Sequence, residues 1–461
     1  MSNTSNTSIS ADQTSKRPYS RVFDGPILKT FFYYVIPSML GLIAITTANL
    51  VDGAVVGNYL GHNALAAITL LIPYFTLVFA TALMLAIGGT VRAGKYIGEG
   101  NMAAASAIFS KSIVATLVIS SIAAIITTLV KDLLFSVLGA SAEVITYMDG
   151  YFSIITWVLI LQLVTMVLYY FVRADDHPIL ATTALVTGAL INIALDILFI
   201  GGLGMGIEGA AYATAIAQSI QIVILSRYFF SPRRTLKLSV KQTHWRELQT
   251  SAYNGISEFI NELSGGLIIL LLNWLLISRL GVDGVAAFTV VNYLIFLSLM
   301  MAYGFADALH LLVSQNLGAK KFERIQQFTL TALVSVLIMG ALLALALVFA
   351  NQWVTHIFLD AEQAAIHALA ESLITYIWPL FLINSANIIL SCYLTAVHQP
   401  LPSAIIALSR SLFLPSILLI NFYWLMSGWQ FLSALPLAEW LTGVLALILC
   451  WHYRPSQLSR V

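Results

Sequence analysis

Twelve long apolar runs follow one another along the chain, at roughly 28–56, 64–90, 106–130, 145–172, 179–200, 207–227, 251–277, 285–308, 327–350, 367–395, 402–424 and 433–452. A helix crossing the hydrocarbon of a bilayer needs about 20 mostly apolar residues, and the twelve runs meet that length. Only 9% of the residues are charged and 59% are hydrophobic, against about 25% and 45–50% in an ordinary globular chain. Too few charges remain to clothe a soluble particle, which excludes soluble enzymes, nucleic-acid binders and secreted disulfide scaffolds. Cys392 and Cys450 both lie inside apolar runs, so no disulfide framework or cysteine-based zinc site is available. The runs also lack the ten-residue alternation of a membrane β-barrel. The expected fold is an all-α polytopic membrane protein of twelve transmembrane helices, with the lipid bilayer as its surroundings and no nucleic-acid partner.

Residues 1–26 are polar and rich in Ser, Thr and Asn. They cannot bury apolar area and are expected to form a disordered cytoplasmic tail; no removable signal peptide is expected ahead of the first run. Of the 22 Lys and Arg residues, all but Lys131, Arg279 and Arg410 fall in the tail, the even-numbered connections or the C-terminus. Positive charge stays on the cytoplasmic side, so both termini are expected there. The basic clusters are read as topology determinants.

The chain also repeats itself. Leu60-Gly61-x-x-Ala64-Leu65-Ala66-Ala67 returns as Leu280-Gly281-x-x-Gly284-Val285-Ala286-Ala287, an offset of 220. Gly98-Glu99-Gly100-Asn101 faces Gly318-Ala319-Lys320-Lys321 at the same offset, and Ala174-x-x-x-Pro178 returns as Ala396-x-x-x-Pro400 at 222. Six runs separate the copies, so the halves share one orientation and should be related by a pseudo-two-fold along the membrane normal. The expected organisation is an N-lobe at 27–227, a cytoplasmic linker at 228–250 and a C-lobe at 251–461. Parallel repeats of this kind enclose a substrate site between them and alternate access by rocking.

Carboxylates in hydrocarbon are costly and mark function by default. The candidates are Asp52, Asp196, Glu258, Glu262 and Asp307, the last at the end of the eighth run. Asp52 precedes the turn at Gly61 by nine residues, Asp196 precedes Met205 by nine, and Thr214 follows Met205 by nine. At about 1.5 Å per residue all three sit roughly 13 Å from the outer turns, and Asn192 shares a helix face with Asp196. Two carboxylates, an amide and a hydroxyl suit a hard cation such as Na⁺. They equally suit a shared proton, or a polar network that merely ties the helices together. Glu258, Glu262 and Asp307, with His310 near their level, are read as an anionic wall of a substrate cavity or as an interfacial cluster. Arg410, inside the eleventh run, is a candidate partner for one of these acids.

Several of these residues match known motifs. Asn192-x-x-x-Asp196 followed by Phe199-Ile200-x-x-Leu203-Gly204-Met205-Gly206-x-x-Gly209-Ala210-Ala211-x-Ala213-Thr214 resembles the fifth-to-sixth helix signature of the MATE (multidrug and toxic compound extrusion) family. Val51-Asp52-Gly53-x-x-x-Gly57-x-x-Leu60-Gly61, Ser314-x-Asn316-x-Gly318-Ala319 and Arg410-x-x-x-x-Pro415 fit the same family. The resemblance implies a V-shaped pair of six-helix lobes in the inner membrane of a bacterium. It implies a monomer without cofactors that exports cationic or amphipathic drugs against H⁺ or Na⁺. By motif position it makes Asp52, Asn192, Asp196 and Thr214 the cation cluster and Pro37 the helix-1 hinge. Two positions depart from the pattern: Ala48 stands where prokaryotic members carry a tyrosine, and Asn384 and Asn387 stand where another branch has a buried Asp.

A lipid-linked oligosaccharide flippase shares this architecture but needs cavity cations, whereas five intramembrane acids face one arginine in this reading. An intramembrane enzyme lacks support, since no His-Glu-x-x-His or Gly-x-Ser-x-Gly motif occurs in a run. Asp175-Asp176-His177 is read as a polar turn ahead of Pro178.

Overall fold

The structure is a computed structural model that describes residues 21–241, 243–358 and 364–458. Twelve apolar helices long enough to span a membrane occur among the described residues. They are α1 Ile27–Leu60, α2 His62–Glu99, α3 Met102–Leu129, α4 Ala142–Ala174, α5 Pro178–Gly202, α6 Gly206–Phe230, α7 Ile256–Gly281, α8 Asp283–Gly318, α9 Phe322–Phe349, α10 Ile366–Ala396, α11 Pro400–Leu425 and α12 Gln430–Gln457. No strand occurs among the described residues.

Several boundaries differ from the sequence reading, among them the end of α2, which continues to Glu99 rather than stopping near 90. Of the expected disordered tail, residues 1–20 lie outside the described residues, whereas Arg21–Asp24 form a turn of helix. That turn is held: Val22 O accepts hydrogen bonds from Asn316 Nδ2 at 3.4 Å and Arg324 Nη2 at 3.0 Å. The stretch expected to open the seventh span instead ends a short amphipathic helix, Arg246–Asn254, which breaks at Gly255. And α8 runs to Gly318, so Asp307 is not at its end but three turns inside it.

The repeat is written in the backbone. α1 turns into α2 at Gly61 with φ 82°, and α7 into α8 at Gly281 with φ 68°. The helix-ending corner after α2 uses Gly100 in the left-handed region and a bond from Asn101 N–H to Tyr96 O at 2.8 Å. Its counterpart after α8 uses Lys320 (φ 56°) and a bond from Lys321 N–H to Asn316 O at 2.9 Å. The corner after α4 places Asp176 at φ 61°, and the one after α10 places His398 at φ 61°. His177 N–H then meets Val172 O, as Gln399 N–H meets Leu394 O. Each is the bond that closes a helix C-terminus by satisfying an orphan carbonyl. A left-handed conformation costs a non-glycine residue about 1–2 kcal/mol, and it is retained at three of these four corners, at Asp176, Lys320 and His398.

The halves meet along α2 and α8. A methyl group on Gly98 would lie 2.0 Å from Gln315 O, and one on Gly318 would lie 1.9 Å from Lys95 O. Gly94 is packed against Ser314 in the same way. Gly98 with Gly318, and Gly94 with Ser314, are each other's equivalents at the offset of 220. Contact between equivalent residues is the mark of a two-fold axis passing between them. Because α2 and α8 run in the same direction, that axis runs along the helices.

These contacts lie at the end of the bundle that carries the described termini. There, Phe31, Tyr34 and Val35 of α1 enter one apolar core with residues of α8, α9 and α10. At the opposite end the buried cores stay separate. One holds Val55, Leu71, Met148 and Ile207 of α1–α6, and the other holds Leu272, Ala287, Leu347 and Phe431 of α7–α12. The halves are thus joined at the termini end and divided at the other.

Gly98→Ala and Gly318→Ala are each expected to lower the melting temperature in detergent, because overpacking costs about 1–3 kcal/mol. The double variant should lose less than the sum, since both methyl groups act on one contact. Gly53→Ala, whose methyl group would meet nothing within 4 Å, should not lower it.

Candidate coupling and cavity sites

Asp52 on α1 and Asp196 on α5 are brought within electrostatic reach of each other. Asp196 is fully buried. Among the described residues neither of its carboxylate oxygens has a hydrogen-bond partner, nor has Asp52 Oδ1. Asn192 Nδ2, one turn earlier on α5, reaches Thr214 Oγ1 of α6 at 3.5 Å. A π-helical turn, Ile197–Gly202, begins directly after Asp196. Such turns widen a helix and cluster at functional sites, and this one sits against α1 and α6. Nothing in the sequence announced it.

The sequence reading also missed Tyr151. This buried residue of α4 lies within electrostatic reach of both Asp52 and Asp196. With Ala48 on α1, a phenol for this cluster comes from a helix that the motifs did not touch. Three buried, unpartnered carboxylate oxygens are expensive if charged. A bound proton or a small hard cation removes that cost, and amide, hydroxyl and phenol oxygens stand by as further ligands. Among the described residues no group of three His, Cys, Asp or Glu gathers as a metal site, so a cation here would depend on those neutral oxygens.

The second half carries a different arrangement. Glu258 on α7 lies 3.8 Å from His310 Nε2 on α8, and Asp307 and Glu262 are within its electrostatic reach. Arg410 makes no ion pair at contact distance with the three acids named from sequence among the described residues, although Glu258 lies within its electrostatic reach. Arg410 sits in a second π-helical turn, Ser409–Phe413, with Nη1 3.7 Å from Glu439 Oε1 of α12 and Nη2 3.4 Å from Asn261 Oδ1. Asn387 Nδ2 donates to Glu439 Oε2 at 2.7 Å. Glu439 was overlooked, although it stands seven residues into the last apolar run.

Asp307 is engaged by a residue first read as a loop charge. Arg173, in the last turn of α4 and 2% exposed, donates Nη1 to Asp307 Oδ2 at 2.9 Å and Nη2 to Asp307 O at 2.7 Å. Its Nη1 also reaches Ser38 Oγ at 2.8 Å. Pro37 lies beside this junction inside an unbroken α1, and its carbonyl accepts from Thr182 Oγ1 at 2.8 Å. Proline removes one ladder bond, so α1 is weakest where α4, α5 and α8 converge on it. The interior groups named among the described residues are thus six acids and two arginines. Among the described residues Asp52, Asp196 and Glu262 have no arginine beside them, and Glu258 is reached by Arg410 only electrostatically.

Residues 37–198 and 262–419 match the MatE family model. The chain belongs to the MatE family. Each half of it carries one of the two matched segments, as the duplication requires. Among curated MatE-like relatives, the multidrug export protein MepA of Staphylococcus haemolyticus is 23% identical over 94% of this chain and 95% of its own. An FAD transporter of Shewanella oneidensis is 25% identical over 92% and 94%. Among solved structures, an outward-facing multidrug resistance MATE family transporter of the MOP superfamily superposes with a TM-score of 0.87 at 23% identity, covering 96% of this chain and 98% of its own. A MOP superfamily transporter from Pyrococcus furiosus gives the same TM-score, identity and coverage.

The Arg173–Asp307 pair generates a stability test. Asp307→Asn leaves a guanidinium buried without its counter-charge and is expected to cost about 3–5 kcal/mol. The apolar double variant Arg173→Met/Asp307→Leu should recover most of that loss. Thermal unfolding of the purified full chain in detergent checks both.

Proposed function

We propose that this MatE family member is a secondary active multidrug exporter. It antiports cationic or amphipathic organic compounds against H⁺ or Na⁺, as a monomer in the bacterial inner membrane with both termini cytoplasmic. The observation that carries this reading is the pair Asp52 and Asp196, with three buried oxygens that no group among the described residues satisfies. A titrating or cation-binding group is the simplest occupant of that place, and Asn192, Thr214 and Tyr151 complete an oxygen-rich shell. The orientation follows from the basic residues that crowd the termini end. On that reading the lobes are closed on the cytoplasmic side, which leaves the cavity open to the outside.

The charges also bear on cargo. Both interior arginines are neutralised, Arg173 by Asp307 and Arg410 by Glu439. An anionic cargo such as a dinucleotide or a lipid-linked pyrophosphate would need cations free to meet it. Glu262 and Glu258, neither in a contact ion pair with an arginine among the described residues, favour organic cations instead, and they form the proposed substrate wall. In this scheme Asp307 acts at the junction of the lobes.

Coupling is tested in proteoliposomes with pH and Na⁺ gradients imposed separately. Asp52→Asn and Asp196→Asn should each abolish gradient-driven efflux while the protein still inserts and folds. Near wild-type efflux by both variants would remove the pair from the mechanism. Glu258→Gln and Glu262→Gln should instead weaken half-saturation for cationic dyes by roughly tenfold each, the scale of one lost charged contact. Their ion dependence should stay unchanged. Equal loss for neutral substrates would move coupling to the second lobe.

A further inference from the structure

Between Glu208 and Glu247 the chain holds no acid and six bases: Arg227, Arg233, Arg234, Lys237, Lys241 and Arg246. Part of this segment is strapped lengthwise onto α3. Lys237 N–H donates to Ser106 Oγ at 3.0 Å, Ser239 N–H to Ser110 Oγ at 2.7 Å, and Lys111 Nζ to Thr243 Oγ1 at 2.8 Å. The match is one of spacing. Two residues of extended chain advance about 6.6–6.8 Å and one helical turn of four residues about 6 Å, so alternate amides meet successive turns of α3. The strap's first residues are fixed by Asp175, whose Oδ2 accepts from Tyr228 Oη and from Thr235 N–H, each at 2.6 Å.

Depth decides what the strap can touch. From Met102 to Lys111 it climbs about 13 Å along α3. The 28 residues of α3 span about 42 Å, some 12 Å more than a hydrocarbon core of about 30 Å. The strap therefore lies beside the helix at headgroup level rather than in the water beyond it. Its inner face is taken up by α3. Its other face shows Leu238 62%, Val240 42% and Trp245 53% exposed, after an 86% exposed Phe230. Exposed Arg233, Lys237 and Lys241 alternate with them. Trp245 is further placed by the Lys111 ammonium, 5.3 Å from its ring. A cleft lined by Met102, Ala103, Ser106, Thr235, Lys237 and Ser239 opens beside the strap. Apolar and aromatic groups interleaved with bases suit the boundary between headgroups and acyl chains, and basic clusters flanking a spanning helix attract anionic lipid.

We propose that residues 228–241 and 243–246 form a docking surface for anionic phospholipid, with Leu238, Val240 and Trp245 among the acyl chains and Arg233, Arg234, Lys237 and Lys241 on the headgroup phosphates. The surface lies in the leaflet on the termini side, which is the inner one on the orientation proposed above, and it stands whether or not the chain exports drugs. The occupant is a lipid and not free phosphate, because the apolar side chains at this depth need acyl chains as well as charge.

The test compares the full chain in nanodiscs of phosphatidylcholine alone and of phosphatidylcholine mixed with phosphatidylglycerol, following amide exchange at 231–245. Phosphatidylglycerol is expected to slow that exchange at least about fivefold, the scale of one near-surface base on an anionic membrane. The variant R233Q/R234Q/K237Q/K241Q should exchange at the phosphatidylcholine rate in both discs. Equal exchange of the wild-type chain in the two discs would overturn the proposal, and that comparison needs no variant. So would slowing that persists in the variant, or slowing produced by inorganic phosphate in phosphatidylcholine discs.

Discussion

The guanidinium of Arg173 and the carboxylate of Asp307 are the two charges that the closed end of the molecule must satisfy together. One comes from α4 of the first half and the other from α8 of the second. Removed from water and unpaired, either ion would cost several kcal/mol. The arrangement is tolerable only while the halves stay in contact, and the glycine crossing of α2 on α8 allows that approach. Once the halves part, water can solvate both charges, so the pair resists opening far less than its short distance suggests. Desolvation and attraction nearly cancel for such pairs.

The same junction connects charge to helix shape. Arg173 reaches Ser38, the residue after Pro37, and Thr182 holds the Pro37 carbonyl. Asp52 lies fifteen residues further along α1. A change of charge at Asp52 and Asp196 acts on one end of a helix whose other end is shared between the halves through a weakened turn. A local binding event alters a global state only by favouring one of two packings, and in the proposed mechanism α1 carries that effect.

Much of this was legible in the sequence, for physical reasons. Apolar run length dictates spans, so all twelve helices were placed to within a few residues at most ends. The duplication was visible because tight corners and close crossings restrict residue choice, as Gly61 and Gly281 or Gly98 and Gly318 show. Helical rise put Asp52, Asp196 and Thr214 at one depth, whereas which helices face one another is a matter of packing, and the grouping with Asn192 was implied by the motif resemblance. What escaped was set by tertiary contact. Arg173 reads as a loop charge until α8 covers it, and Glu439 is one acid in a run otherwise fit to cross a bilayer. Tyr151 carries no local mark of its neighbours, and a π-helical turn adds a residue to a helix without a sequence signature.

The central claim is that occupancy of the Asp52–Asp196 pair sets how far apart the lobes stand at the open end. Spin labels at the equivalent outer-turn positions Asn63 and Asp283, in a chain with Cys392 and Cys450 replaced by serine, report that distance by pulsed electron resonance in nanodiscs. Acidification or added Na⁺ should shorten it in the otherwise native chain, while Asp52→Asn/Asp196→Asn should give one distribution under every condition. A distance that ignores both pH and Na⁺ in the native background, or one that still responds in the double variant, would contradict the account.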